Sequence, residues 1–182
     1  MTRLLRAFSD AGPALYLMPG NRDFLMGAAL AAATGAELLA DPTVIDLYGT
    51  PTLLLHGDSL CTGDAEYMRF RQQARDPAWQ AQLLAQSLEQ RRELARNLRA
   101  LSAEANSNKA EDIMDVTPAE VVREMELAAV PQMIHGHTHR PARHDEPSGV
   151  RWVLGDWDQS GWFIQASAEK IELTSFSIYS KG

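Results

Sequence analysis

The chain has 182 residues, 45% hydrophobic and 23% charged, with a formal net charge of −7; that length suits one domain, or one domain plus an insertion, with a core that needs no staples. The acidic balance excludes the domain-wide basic surface of a general nucleic-acid binder, and no apolar run approaches the ~20 residues of a membrane span. Cys61 is the only cysteine, so an internal disulfide is excluded and a reducing compartment suits the chain.

The start, Met1 to Arg6, is basic and apolar, with an apolar stretch too short for a signal peptide. Residues 2–9 read as the end of a helix stopped by Asp10-Ala11-Gly12-Pro13. Ala14 to Met18 reads as a short buried strand ending in the polar turn Pro19-Gly20-Asn21-Arg22-Asp23. An Ala-rich helix over 24–34 follows, with Gly35 where a C-cap glycine belongs. Val44 to Tyr48 and Thr52 to Leu55 flank Gly49-Thr50-Pro51 as a hairpin, and its second strand runs into His56-Gly57-Asp58. Asp64 to Arg75 reads as a helix.

Between Asp76 and Lys109 there is no glycine, and Pro77 is the only proline. Trp79, Leu83, Leu84, Leu88, Leu94, Leu98 and Leu101 recur at roughly helical spacing, with Arg91, Arg92, Arg96 and Arg99 nearby. This predicts a helical hairpin, or a long kinked helix, inserted on the main domain. Thr117-Pro118-Ala119-Glu120 carries a capping-box pattern and opens a helix to about Ala128. Pro131 to Ile134 reads as a strand leading into His135-Gly136-His137-Thr138-His139; further strands are expected over 151–154, 161–166 and 171–176.

Three polar clusters follow apolar strands: Gly20-Asn21-Arg22-Asp23, His56-Gly57-Asp58 and His135-Gly136-His137-Thr138-His139. Asn offers an amide oxygen and neutral His a ring nitrogen, and a glycine beside each allows close backbone approach. Such a thiolate-free set suits Mn, Fe or Zn better than Mg or Ca. Two such ions ~3.5–4 Å apart would clamp a phosphorus centre for in-line attack by an activated water. Taken singly, each residue has a plainer reading: Asn21 as a turn residue, His56 as a hydrogen-bonded structural histidine. His135 and His137 are two apart, so on a strand they share a face, and that pair is harder to dismiss.

In this order, Gly-Asn-Arg-Asp, His-Gly-Asp and Gly-His-Thr-His resemble the calcineurin-type metallophosphoesterase superfamily. His56-Gly57-Asp58-Ser59-Leu60-Cys61-Thr62, Asn106-Ser107-Asn108-Lys109, Ile113-Met114-Asp115-Val116 and Ile134 to Pro141 narrow the resemblance to the UDP-2,3-diacylglucosamine hydrolases of lipid A biosynthesis. It covers nearly the whole chain. It implies an α/β fold, a four-layer αββα sandwich over residues 1–182 with a helical cap insertion at about 76–109. It implies hydrolysis of the UDP-2,3-diacylglucosamine pyrophosphate by water attack on the α-phosphorus, giving UMP and 2,3-diacylglucosamine 1-phosphate.

The resemblance also implies a two-ion Mn2+ site, with Asn21, His56 and His135 on one ion and His137 on the other. It places Asn21, Arg22 and His135 at the phosphates, and Asp64, Ser102, Asn106 and Lys109 against substrate. His139 stands near the site without binding a metal. Read without it, Ser102 and Asn106 are ordinary polar residues near a helix end and Lys109 a solvated charge.

The family pattern also contains an Asp-x-His motif after the first strand and a Gly-Asp motif after the second, and neither occurs here. Gly57-Asp58 and Gly155-Asp156 stand elsewhere in the pattern. The chain is therefore expected to start two strand–helix units late, as from a mis-called start or a truncated gene. The second metal would then lack its bridging carboxylate, and an open sheet edge would favour aggregation. The alternatives to the hydrolase are an impaired remnant, a non-catalytic module, and a metallophosphoesterase with a soluble substrate.

The leucines and arginines of the insertion suit acyl chains and anionic headgroups, or equally a helix packed on the core. The cap reading makes the protein cytoplasmic, peripheral on the inner face of the cell inner membrane. Its partners are then a lipid-linked UDP-sugar and the membrane surface, without nucleic acid or a stable protein partner. Cys61, five residues from His56, is expected to be a small buried hydrophobe rather than a nucleophile, and Trp152 to pack in the core.

Overall fold

A computed structural model describes residues 1–107 and 115–179, with side chains outside 103–107. The chain opens with α1 (Thr2–Asp10), β1 (Tyr16–Leu17), α2 (Ala28–Thr34) and β2 (Glu37–Leu38). It continues through the strands β3 (Thr43–Leu47) and β4 (Thr50–Leu55) and a 3-10 turn at Asp58–Leu60. The helices α3 (Ala65–Ala74), α4 (Pro77–Leu84), α5 (Leu88–Ser107) and α6 (Pro118–Leu127) follow. It closes with β5 (Gln132–His135), β6 (Ala142–Glu146), β7 (Gly149–Val153), β8 (Ser160–Ala166) and β9 (Ile171–Ser177). The result is a mixed α/β fold around a five-stranded mixed sheet of order β3-β4-β5-β7-β6. β1–β2 and β8–β9 form two separate two-stranded sheets.

The hairpin β3–β4 turns through Tyr48 and Gly49, both at positive φ (54° and 87°), the primed turn that matches strand twist. The Gly49 amide donates to Asp46 Oδ1 at 2.8 Å. β4, β5 and β7 are mutually parallel and central. Parallel neighbours need a crossover, and helices α3 to α6 supply the one from β4 to β5. The core joins Leu53 and Leu55 of β4, Leu60, Met133 of β5, Val130, and Val121 and Met125 of α6. Val121 and Met125 are four apart, so they fall on one helix face.

The insertion is two helices. Asp76 caps α4, its carboxylate accepting from the Trp79 amide at 2.7 Å, with Pro77 in the first turn. At the start of α5, the Ser87 amide donates to Gln90 Oε1 and the Gln90 amide to Ser87 Oγ, at 2.9 and 3.2 Å. That reciprocal pair is a capping box. It restarts the helix after Ala85, where the leucine spacing alone allowed a kinked single helix.

Several boundaries differ from expectation. α2 begins at Ala28 rather than Phe24; Phe24 instead packs against Phe70 and Trp79, at 6.4 and 5.7 Å between ring centroids. β1 is two residues long because its partner β2 is. β6 was not signalled by its sequence, Ala-Arg-His-Asp-Glu; it is an edge strand paired only to β7, where polar side chains are tolerated. The Thr117 side chain makes no cap bond to α6, since the Thr62 hydroxyl donates to its oxygen at 2.8 Å. Trp152 and Cys61 are buried, as their sequence contexts suggest.

Met125→Ala should lower the free energy of unfolding by about 2–5 kcal/mol, because Met125 is fully buried in this core. Leu127→Ala, on the exposed side of the same helix, should change it by less than about 0.5 kcal/mol. Urea denaturation of both variants checks the contrast.

Candidate functional site

The parallel register pairs Leu55 with His135, so β4 and β5 end side by side. The Gly136 amide then donates to the His56 carbonyl at 3.0 Å, locking the two following loops together. Gly57, at φ 111°, could not carry a side chain here: a Cβ would stand 2.8 Å from His135 Nδ1. The loop after β1 closes on the same place. A Cβ on Gly20 would stand 2.7 Å from the His56 ring, so glycine lets Asn21 approach His56. The Gly20 amide also donates to the Asp23 carboxylate.

Three of the four residues expected to bind metal are thereby gathered. His56 Nε2 lies 3.2 Å from Asn21 Oδ1. The rings of His56 and His137 are 5.0 Å apart, edge to face, and the Tyr67 ring lies 5.6 Å from that of His137. Burial lowers the pKa of His56, outweighing the nearby Asp58, Asp41 and Asp23. Burial and the neighbouring His56 lower that of His137 to about 4. Both imidazoles are neutral at neutral pH, the form that ligates metals.

His135 is placed differently. β5 ends at His135, and His137 sits beyond it at φ 65°, so the shared-face argument for the pair does not hold. The charge of His137 still acts on His135. His135 is fully buried, its Nδ1 against the Gly136 carbonyl at 2.9 Å. Its Nε2 accepts from the Arg151 guanidinium at 3.2 Å, and Arg151 Nε pairs with Glu146 at 2.6 Å. Burial lowers its pKa to about 4. His139, also at positive φ, is exposed.

Beneath the cluster lies a buried charge network that the sequence reading did not anticipate. Asp41 Oδ1 accepts from the His56 backbone amide at 3.0 Å. Arg75 donates to the Pro19 carbonyl at 3.2 Å and to Asp41 Oδ2 at 3.3 Å, and lies 3.6 Å from Asp58 Oδ2. Arg71 Nε stands 3.1 Å from Asp58 Oδ1, in ion-pair contact though not aligned as a hydrogen bond. The Tyr67 hydroxyl donates to Asp58 Oδ2 at 2.7 Å. Burial opposes the charge on Asp58, but Tyr67, Arg71 and His56 outweigh it and hold its pKa below the ordinary carboxylate value. A sequence signal existed: Tyr67, Arg71 and Arg75 recur every four residues, one face of α3.

Beside the cluster is a cavity of about 340 Å³. Asn21, Arg22, Asp64 and Ser102 line it together with Phe24 of the preceding loop and Phe70, Leu83, Leu94, Leu98 and Leu101 of the surrounding helices. The insertion's leucines thus face a cavity rather than only the core. Asp64 has a structural duty as well, capping α3 through the Tyr67 amide at 3.0 Å. Of the remaining expected substrate contacts, Asn106 lies on α5 with its side chain outside the described residues, and Lys109 lies outside them altogether. Burial pushes the Cys61 thiol up to about 12, which removes it as a nucleophile.

The donor chemistry of Asn21, His56 and His137 suits a divalent ion. Two donors 3.2 Å apart can share an ion at ~2.1 Å from each, and His137 offers a third neutral donor. No group of three His, Cys, Asp or Glu side chains able to hold a metal occurs among the described residues.

Comparison with known proteins identifies close relatives. The chain is 58% identical over 178 residues to the UDP-2,3-diacylglucosamine hydrolase of Cellvibrio japonicus, covering 96% of this chain and 74% of that protein. The protein of the same name from Marinobacter nauticus is 56% identical, with 90% and 68% covered. That from Chromohalobacter salexigens is 57% identical, with 88% and 68% covered. No protein-family model matches the chain. Among solved structures, Vps29 of Entamoeba histolytica complexed with zinc aligns over 97% of this chain and 84% of that one, at 10% identity and a TM-score of 0.40.

Between about pH 4 and 6.5 the unfolded chain binds protons on its imidazoles, whereas folded His135 and His137 stay neutral. The unfolded state therefore holds more protons in that window, and stability is full above 6.5 and lost as pH falls toward 4. Urea unfolding at intervals from pH 7 to 4.5 should show this decline, and His135→Asn should flatten it. A decline left unchanged by the substitution would mean that His135 does not contribute.

Proposed function

Because the chain belongs to the family of UDP-2,3-diacylglucosamine hydrolases, we propose that it cleaves the pyrophosphate of UDP-2,3-diacylglucosamine. The products are UMP and 2,3-diacylglucosamine 1-phosphate, a step of lipid A biosynthesis. The observation that carries the reading is the juxtaposition of Asn21, His56 and His137 with a leucine-lined cavity whose polar rim holds Arg22.

Asn21 Oδ1, His56 Nε2 and a ring nitrogen of His137 would hold a divalent cation, proposed to be Mn2+. Such an ion polarises phosphoryl oxygens and lowers the pKa of water. The family pattern assigns two ions and adds His135 to the ligands. For that role His135 Nε2 would have to exchange the Arg151 guanidinium for the ion.

The protein's own groups account for the rest. The Arg22 guanidinium, always charged and planar, pairs with phosphate oxygens and offsets the negative charge growing as the anhydride breaks. Asn21 orients the same phosphates. Asp64 and Ser102, on the cavity lining, accept or donate hydrogen bonds to the sugar, and the family resemblance adds Asn106 and Lys109 as substrate contacts. Leu83, Leu94, Leu98 and Leu101 take the acyl chains out of water, at about 0.8 kcal/mol per buried CH2. Arg91 and Arg99 line the same cavity and suit an anionic membrane surface. No helix among the described residues is long and apolar enough to cross a membrane. The reading therefore makes the protein a peripheral visitor to the cytoplasmic face of the inner membrane. The finer architecture proposed with it is the four-layer αββα sandwich, residues 76–109 forming the cap.

Incubation of UDP-2,3-diacylglucosamine with the protein and Mn2+ should release UMP, followed by 31P NMR or mass spectrometry. A chelator should abolish release, and Arg22→Ala should slow it at least 100-fold. Deacylated UDP-glucosamine should be turned over at least tenfold more slowly, because it leaves the leucine cavity unused. Equal turnover of the two would overturn the lipid assignment, and release of no UMP the hydrolase itself.

A further inference from the structure

Among the described residues, no main-chain hydrogen bond joins the loops bearing Asn21 and His56. They come from different sheets, one following β1 and the other β4. Something else must hold Asn21 Oδ1 and His56 Nε2 at 3.2 Å. The side chain that reaches both is Arg75, which follows α3 as its C-cap residue.

One end of its guanidinium, Nη1, donates to the Pro19 carbonyl, two residues before Asn21. The other, Nη2, donates to Asp41 Oδ2, and the second oxygen of that carboxylate accepts from the His56 backbone amide. The same Nη2 lies 3.6 Å from Asp58 Oδ2, two residues after His56. Asp41 and Asp58 are both buried, with side-chain exposures of 4% and 0%. Two carboxylates so close to His56 repel each other and need a shared cation. Arg75, helped by Arg71, supplies it.

We propose that Arg75 is a positioning residue: it clamps the Asn21 loop to the His56 loop and so sets the spacing of the two donors for a divalent ion. The inference rests on the metal-site reading above and deepens it. Arg75 need touch neither metal nor substrate. A planar fork is required, because a lysine ammonium on the same stem is a point donor and cannot span Pro19 and the carboxylates in fixed geometry. The clamp should therefore govern metal affinity and turnover, while substrate affinity, set by the leucine cavity and Arg22, stays nearly constant.

The test uses the full chain as wild type, Arg75→Gln, Arg75→Lys and Asn21→Ala. Mn2+ binding is read by the loss of the free-ion EPR signal, folding by circular dichroism, and the His56–Asn21 contact in metal-free protein by the ring 15N resonances of His56. Arg75→Gln should weaken Mn2+ binding at least tenfold and shift the His56 resonances, with KM for the acylated substrate within about twofold of wild type. Arg75→Lys should fall between the two. A folded Arg75→Gln protein with wild-type Mn2+ affinity and unmoved His56 resonances would overturn the clamp. If Arg75→Gln does not fold, Arg75→Lys decides by the same two readouts. If the wild type binds no Mn2+, or Asn21→Ala leaves binding unchanged, the metal-site reading fails, and the metal-free His56 resonances still decide the clamp.

Discussion

The parallel pairing of β4 with β5 is the constraint from which the rest follows. It aligns Leu55 with His135 and so delivers two loops from distant parts of the chain to the same end of the sheet. A parallel pair cannot be closed by a tight turn, and the crossover between them must carry its own structure. Here that crossover contains α3, whose polar face holds the loops together, and α4 and α5, which wall the cavity. One topological requirement thus supplies both the gathering of the imidazoles and the surface beside them. The apolar residues of β4, β5 and α6 make the pairing stable, with Leu53, Leu55, Met133, Val121 and Met125 in one cluster.

Electrostatics divides the site into two layers. The upper layer is neutral: burial keeps His56 and His137 unprotonated, with lone pairs available. The lower layer is charged, with Asp41 and Asp58 against Arg71 and Arg75. Buried ion pairs repay their desolvation poorly, so such a network adds little net stability. Its value lies in direction: each carboxylate and guanidinium has few positions in which all its partners are met. Tyr67 joins the layers, its hydroxyl on Asp58 and its ring beside that of His137.

The cavity gives the site its chemical reach. Polar groups that suit phosphate and sugar stand at one side, and leucines and phenylalanines that suit hydrocarbon at the other. A substrate with both characters is the one molecule that uses the whole lining, which agrees with the names of the relatives from Cellvibrio, Marinobacter and Chromohalobacter. The helical insertion thus contributes its leucines to the lining of this cavity.

Much of this was legible in the order of residues. Local patterns carry helices, hairpins and caps, since these depend on neighbours a few positions apart; the hairpin of β3 and β4 and the α-helices of the crossover are of this kind, although the turn falls at Tyr48-Gly49 rather than the expected Gly49-Thr50-Pro51, because Thr50 and Pro51 pair with Leu47 and Asp46. Glycines beside Asn21 and His56 announced loops of close approach, and the motif order pointed to the family that the relatives share. What the sequence could not determine was direction in space. Whether His135 and His137 share a face turned on where β5 stops, which is set by pairing with β4 and β7 rather than by the motif. Whether Asp41, 15 residues before His56, would meet its amide depended on how two strands and a helix pack. Burial, and with it the lowered pKa of His56, His135 and His137, exists only once the distant parts have met, so the tertiary structure alone decided it.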